Sequence, residues 1–150
     1  MIAWKYLDTN AATIAAIRDY ENMQAIIDDT PDIIREVSAV MVSPKNQQIT
    51  GMPSAHNPNA GQEQLVSRLD RLDVLEERER VAKAYMAWFI PAWDRLTEQE
   101  QLILTEFFMV SNQFRNGARG RLASKLNYTE RHIDRLRADA IQKLQTLLFG

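Results

Sequence analysis

The sequence predicts an all-α protein, and three observations support that class. Apolar residues recur at three- and four-residue spacing along most of the chain, as they do on one face of a helix. Three of the five prolines and two of the five glycines fall within a single stretch, residues 43–61. Threonines that can cap a helix stand at Thr30, Thr97 and Thr129, directly before periodic segments. Together these features predict helices joined by one long loop and a few turns.

Composition excludes several classes of function. The chain has 150 residues and a formal net charge of −2, ordinary values for a globular domain. It has no cysteine and only two histidines, His56 and His132, so a disulfide framework and a zinc site are not expected. The N-terminal residues do not resemble a signal peptide, and no window approaches about 18 uninterrupted apolar residues. We therefore expect a cytoplasmic protein without a cofactor and without a membrane partner.

The first half of the chain divides into three segments. Residues 1–42 are predicted to form N-terminal helices arranged as a hairpin, broken near Pro31, where Thr30 caps the second helix. Residues 43–61 form a loop rich in proline, glycine and asparagine, either a functional element or a linker. Residues 62–95 carry a long central helix whose apolar stripe faces the core or, as an alternative, a second copy in a coiled coil.

Two local patterns in this half have ordinary structural interpretations. The run Glu76–Arg80 alternates acidic and basic residues at helical spacing, which is typical of a solvated helix face. The aromatic stretch Trp88–Trp93 contains Pro91 and has few basic neighbours. It therefore predicts a core junction at a helix bend or end rather than a surface that stacks bases.

Residues 96–150 carry the features that point to a function, and they predict a helix-turn-helix. Thr97 and Glu100 have the spacing of a capping box, and a broadly apolar helix follows them. After a polar connector, a short helix ends at Leu126, with a start at Arg121 or as early as Ala118. Asn127 is suited to the sharp turn, because asparagine tolerates the left-handed conformation. Thr129 then caps the last helix, whose apolar stripe runs from Ile133 to Leu148.

Charge is concentrated on this part of the chain. Residues 115–143 contain eight Lys/Arg and three Asp/Glu, a net charge of +5, whereas the other residues sum to −7. A recognition helix enters the major groove through its first turns, which identifies candidate base-reading residues: Arg131, His132, Asp134 and Arg135. Contacts to the DNA backbone are predicted from a second group: Arg119, Arg121, Lys125, Tyr128 and Thr129. The alternative for each of these residues is a solvated surface position.

The same residues carry a resemblance to a known family. The pattern Leu122-Ala123, Leu126-Asn127-Tyr128-Thr129 and a distal Ala140-Ile141-x-Lys143-Leu144 resembles region 4 of sigma-70-type factors, with Asn127 where a turn glycine is commoner. The motifs at residues 16–20, 52–58 and 88–93 are similar to small phage and prophage proteins of Gram-positive bacteria, the ArpU/RinA-type late-gene activators. The resemblance implies a transcription regulator in a bacterial host, without the region of a sigma factor that opens promoters.

Three functions follow as expectations. The first is a phage-encoded regulator that binds double-stranded DNA through residues 96–150, with host RNA polymerase and a second copy of the chain as further partners. The alternative is a protein-interaction module that contacts RNA polymerase or another phage protein and does not bind DNA. A third is a small DNA-packaging subunit. An enzyme is not expected, because the sequence offers no nucleophile–base pair, ligand cluster or phosphate loop.

Overall fold

The computed structural model describes residues 7–42, 59–111 and 115–150. These residues form five α-helices and no strand, which confirms the predicted all-α class. The helices are α1 (Thr9–Val42), α2 (Ala60–Trp93), α3 (Glu98–Leu104), α4 (Ala118–Leu126) and α5 (Glu130–Phe149), with a π-helical turn at Thr105–Met109 after α3. The long helices α1 and α2 pack together. Within the described ranges, no helix combines the length and apolar character needed to cross a membrane.

The predicted break in the N-terminal segment is wrong. α1 is one helix of 34 residues that continues through Pro31, so the described residues 7–42 contain no helical hairpin. An interior proline removes one backbone hydrogen bond and costs about 3 kcal/mol. The exposed Pro31 ring lies outside the packed face, while the neighbouring Thr30 is only 2% exposed and does not act as a cap. A single proline therefore does not end this helix.

The structure describes the central helix and only the end of the predicted loop. The central helix, expected within residues 62–95, is α2, and it continues past Pro91 to end at Trp93. Of the predicted loop 43–61, residues 43–58, with His56, lie outside the described residues. The last two loop residues, Ala60 and Gly61, already belong to α2.

The chain forms two compact units. One consists of Met1–Gln24 and Ala84–Gly150, and the other is Ala25–Lys83. The first unit contains the larger core, whose buried residues come from α1, α2, α3, α5 and the segment between α2 and α3: Ala16, Ile17, Phe89, Ala92, Leu96, Leu104, Ala140, Ile141 and Leu144. A second cluster of Ile103, Leu122 and Ile133, here called the C-terminal cluster, joins α3, α4 and α5.

Aromatic rings surround the centre of the larger core. Phe89 is fully buried, and its ring centroid lies 5.3 Å from that of Tyr85, 5.6 Å from that of Trp93 and 5.9 Å from that of Tyr20. The expected core junction is therefore present at Phe89 and Trp93. Trp88 differs, since it is 41% exposed and contacts the edge of Phe149 at a centroid distance of 5.6 Å.

The π-helical turn allows two adjacent phenylalanines to serve two clusters. Its wider turn is marked by the bond from the Val110 N–H to the Thr105 carbonyl, five residues earlier, at 3.2 Å. Phe107 packs against the C-terminal cluster, and Phe108 packs against the larger core. Arg115 donates to the carbonyl oxygens of Val110 (3.1 Å) and Phe108 (3.2 Å), so this cation, counted in the basic segment, satisfies the end of the turn.

Tyr85 should make the protein less stable at high pH. Its hydroxyl donates to the Ala16 carbonyl, and burial, followed by the negative charge of Asp19 and by Tyr20, raises the pKa of the phenol well above its usual range. Above about pH 10 the unfolded chain therefore loses this proton while the folded chain keeps it, so stability falls as pH rises. The slope from one such group is at most about 1.4 kcal/mol per pH unit.

The measurement is the free energy of unfolding by urea from pH 8 to pH 11, for the natural chain and for Tyr85→Phe. The variant should lose stability less steeply above about pH 10, because phenylalanine has no proton to release. Equal slopes for the two proteins would contradict the assignment.

Candidate nucleic-acid interface

The candidate site consists of α4, the turn at residues 127–129 and α5. Leu122 of α4 is 1% exposed, and Ile133 of α5 and Ile103 of α3 are fully buried, so one shared cluster fixes the two helices to α3. Ala123 is partly buried against this cluster. The apolar stripe of α5 continues into the larger core through Ala140, Ile141 and Leu144. The expected buried face of α5 is therefore confirmed.

The turn has the backbone conformation that the sequence predicts. Asn127 has φ 56° and ψ 41°, and among the described residues it is the single non-glycine residue with a positive φ. The N–H groups of Asn127 and Tyr128 both donate to the Ala123 carbonyl, which closes α4. Thr129 is extended, and its side chain accepts a hydrogen bond from the His132 N–H at 3.2 Å, so α5 begins with the predicted cap. The capping box of Thr97 and Glu100 is present at the start of α3.

Substitution of Asn127 should reveal the strain at this turn. A β-branched residue in the left-handed region costs about 1–2 kcal/mol, whereas glycine adopts it freely. We therefore expect Asn127→Val to lower the free energy of unfolding by about that amount and Asn127→Gly to leave it nearly unchanged. Chemical denaturation of the two variants beside the natural chain is the measurement, and equal losses would contradict the assigned conformation.

The four predicted base-reading residues lie close together on the first two turns of α5 but differ in their surroundings. Arg131 and Arg135 are exposed. His132 is partly buried, with its ring 4.7 Å from Tyr128 in an edge-on contact. Asp134 is engaged with arginines, as described next. The two exposed arginines are therefore the members of the set best placed to reach a ligand.

An ion-pair cluster joins α4 to α5. The Arg119 guanidinium lies 2.6 Å from an Asp134 carboxylate oxygen and 3.5 Å from a Glu130 carboxylate oxygen. Arg137 approaches the other Asp134 oxygen at 3.8 Å, and its guanidinium also lies 4.5 Å from the centre of the Phe107 ring. All these side chains are at least one-third exposed, so each pair contributes little to stability. Their effect is to hold Arg119 and Asp134 against each other.

Two further cations of the basic segment also face carboxylates. Arg121 lies 3.5 Å from Glu106 in the π-helical turn, and Lys143 lies 3.1 Å from Glu100 at the start of α3. These partners are 15 and 43 residues away along the chain. Sequence spacing alone contains no signal for such pairs, which is why the acidic partners Glu100 and Glu106 were not predicted as part of the site.

Three cations remain for an external anion. Lys125, Arg131 and Arg135 are exposed and form no ion pair with any residue in the ranges that the structure describes. They lie in the last turn of α4 and the first two turns of α5, on either side of the Asn127 turn. Because the N–H groups at the start of a helix favour negative charge, this end of α5 adds to their attraction for an anion. Fewer cations are therefore available to an external anion than the segment's net charge of +5 suggests.

Among the described residues, no three His, Asp or Glu side chains gather where they could hold a metal ion. The fold defines the chain as an all-α protein in which α3, α4 and α5 share one cluster. Comparison with models of known protein families, with curated proteins and with solved structures finds no match to this chain.

Proposed function

We propose that the protein is a DNA-binding transcription regulator and that α4, the turn and α5 act as a helix-turn-helix. In this proposal α5 is the recognition helix, and Arg131 and Arg135 read base edges in the major groove. Arginine is suited to that task because its guanidinium donates two parallel hydrogen bonds to guanine. Lys125, together with Tyr128 and Thr129 at the turn, binds the phosphate backbone and sets the docking position.

The observation that carries the proposal is the placement of Lys125, Arg131 and Arg135, which form no ion pair within the described part of the chain. They occupy the turn-proximal ends of two helices that meet at a left-handed asparagine and a capped helix start. The buried cluster of α3, α4 and α5 holds that surface on rigid elements, as accurate recognition of a duplex requires. The resemblance of the same residues to sigma region 4 points in the same direction, and it suggests action on phage gene expression in a bacterial host.

Ion pairing favours a second candidate, a module that contacts RNA polymerase or another phage protein without DNA. Arg119, Arg121 and Lys143 are compensated by carboxylates of the same chain, so the surface is of mixed sign rather than uniformly positive. Surfaces of mixed sign are common at protein interfaces, whereas duplex DNA attracts net positive charge.

Selection of bound fragments from a pool of random duplex DNA tests the proposal. The full chain should enrich related sequences. The logarithm of the binding constant for the enriched duplex should fall linearly with the logarithm of the salt concentration, with a slope of about −0.9 for each phosphate neutralised. A parallel co-purification with bacterial RNA polymerase tests the second candidate. If no sequence is enriched from the pool and RNA polymerase is retained, DNA binding is rejected in favour of protein contact.

A further inference from the structure

The described part of the second compact unit is a pair of helical segments, residues 25–42 of α1 and 60–83 of α2, here called the arm. The arm offers little core of its own. Only three described residues of the arm are buried, namely Thr30, Leu75 and Ala82. Thirteen larger aliphatic residues of the arm are partly buried or exposed: Ile26, Ile27, Ile33, Ile34, Val37, Val40, Met41, Leu65, Val66, Leu69, Leu72, Val74 and Val81.

The spacing of these residues is that of a helix with more than one neighbour. Ile27, Ile34 and Met41 recur every seven residues, and Ile26, Ile33 and Val40 form a second row directly beside them. A helix that packs against one partner needs a narrow apolar stripe, whereas a wider stripe is typical of helices in bundles. α1 therefore has the pattern of a bundle helix, although the arm supplies only one other helix.

α2 shows the same excess of apolar surface. Leu65 and Leu69, which are four residues apart and so share a face, are each 45% exposed. A face two helices wide and about 27 Å long covers roughly 600 Å² in projection. That is close to the about 800 Å² per partner of a standard dimer interface.

The charges of the arm identify the kind of partner. The described arm carries ten Asp/Glu and six Lys/Arg, a net charge of −4, which does not suit nucleic acid. Residues 60–83 of α2 alone carry six acids and five bases, so this helix presents nearly balanced charge to its own copy. Several of these charges pair within their helix, including Arg80 with Glu77 at 2.6 Å and Lys83 with Glu79 at 2.6 Å. A symmetric interface joins the same patch to itself, which balanced charge permits.

We propose that the arm is a dimerisation element and that the arms of two copies pair to form a four-helix bundle. The second copy supplies the two missing helices with the same apolar rows, so both arms gain the core that each lacks alone. This inference does not rest on DNA binding, and a failure of either proposal leaves the other to be judged by its own experiment.

Sedimentation velocity of the full chain over a wide range of concentration tests the inference without DNA. We expect a species of twice the 17.3 kDa chain mass that dissociates on dilution. Leu69→Glu should weaken the dimer by at least about tenfold, because a carboxylate must then be buried at the interface. Leu69 is already exposed in the single chain, so its replacement should leave helix content unchanged by circular dichroism.

Ser67→Glu is the matched control. Ser67 is exposed on the same helix and lies two residues from both Leu65 and Leu69, and residues two apart on a helix do not share a face. It adds the same charge, so the dimer should dissociate as it does in the natural chain. A monomer at every concentration would overturn the proposal and would leave the apolar face to a different protein. Equal weakening by both substitutions would also overturn it.

Discussion

Replacement of Phe89 by alanine should be the most destabilising single change in the larger core. The side chain is fully buried and its ring lies within 6 Å, centroid to centroid, of Tyr20, Tyr85 and Trp93. Truncation removes the buried ring and leaves a cavity that three large neighbours cannot fill without moving, at a cost of about 3–5 kcal/mol. In a protein of this size such a loss lowers the midpoint of thermal unfolding by roughly 10 °C.

Trp88→Ala provides the control for this prediction. Trp88 immediately precedes Phe89 on the same helix and is the larger side chain, but it is 41% exposed. Its loss should therefore cost much less, since part of its surface already faces water. Thermal and urea unfolding, followed by circular dichroism, measure both variants. A larger loss for Trp88→Ala than for Phe89→Ala would contradict the assigned core.

Replacement of both Arg131 and Arg135 by alanine should have the largest effect on DNA recognition. A bidentate contact from arginine to guanine contributes about 1–3 kcal/mol of discrimination against the wrong base. Loss of two such contacts should lower the ratio of specific to non-specific affinity on the order of 100-fold. Because both side chains are exposed and unpaired within the described structure, the fold should not change.

The measurement is equilibrium binding to a selected duplex and to an unrelated duplex at the same salt concentration. Arg71→Ala with Arg78→Ala is the matched control, since it removes two exposed arginines of α2 and the same net charge. We expect the control to retain discrimination. If the Arg131/Arg135 variant still discriminates between the duplexes, α5 is not the recognition helix.

Local signals in the sequence predicted the C-terminal elements accurately. The caps at Thr97 and Thr129 and the left-handed turn at Asn127 each depend on a few neighbouring residues, and all three are present. The apolar stripe of α5 is likewise a local pattern, and its central residues are buried. The break predicted at Pro31 is wrong: proline is also a strong local signal, but α1 continues through it.

The composition of the candidate site was predicted, but its electrostatics were not. The sequence places Arg119, Arg121, Arg131 and Arg135 near one turn, with no indication of which of them are compensated. Ion pairs across 15 or 43 residues exist only after α3, α4 and α5 have packed. The π-helical turn is a similar case, because it directs adjacent Phe107 and Phe108 into different clusters that no single-helix pattern defines.

By itself the sequence determined the all-α class, the ends of the C-terminal helices and the conformation of the Asn127 turn, because these depend on interactions within a few residues. Tertiary structure alone decided the separation of the two phenylalanines and left three cations of the basic segment with no ion pair among the described residues. Those outcomes depend on side chains that are distant in sequence and that meet only when helices pack. The two groups of outcomes differ in the sequence distance over which the interactions act. Capping and turn energies depend on neighbouring residues, whereas burial and ion pairing depend on the whole fold.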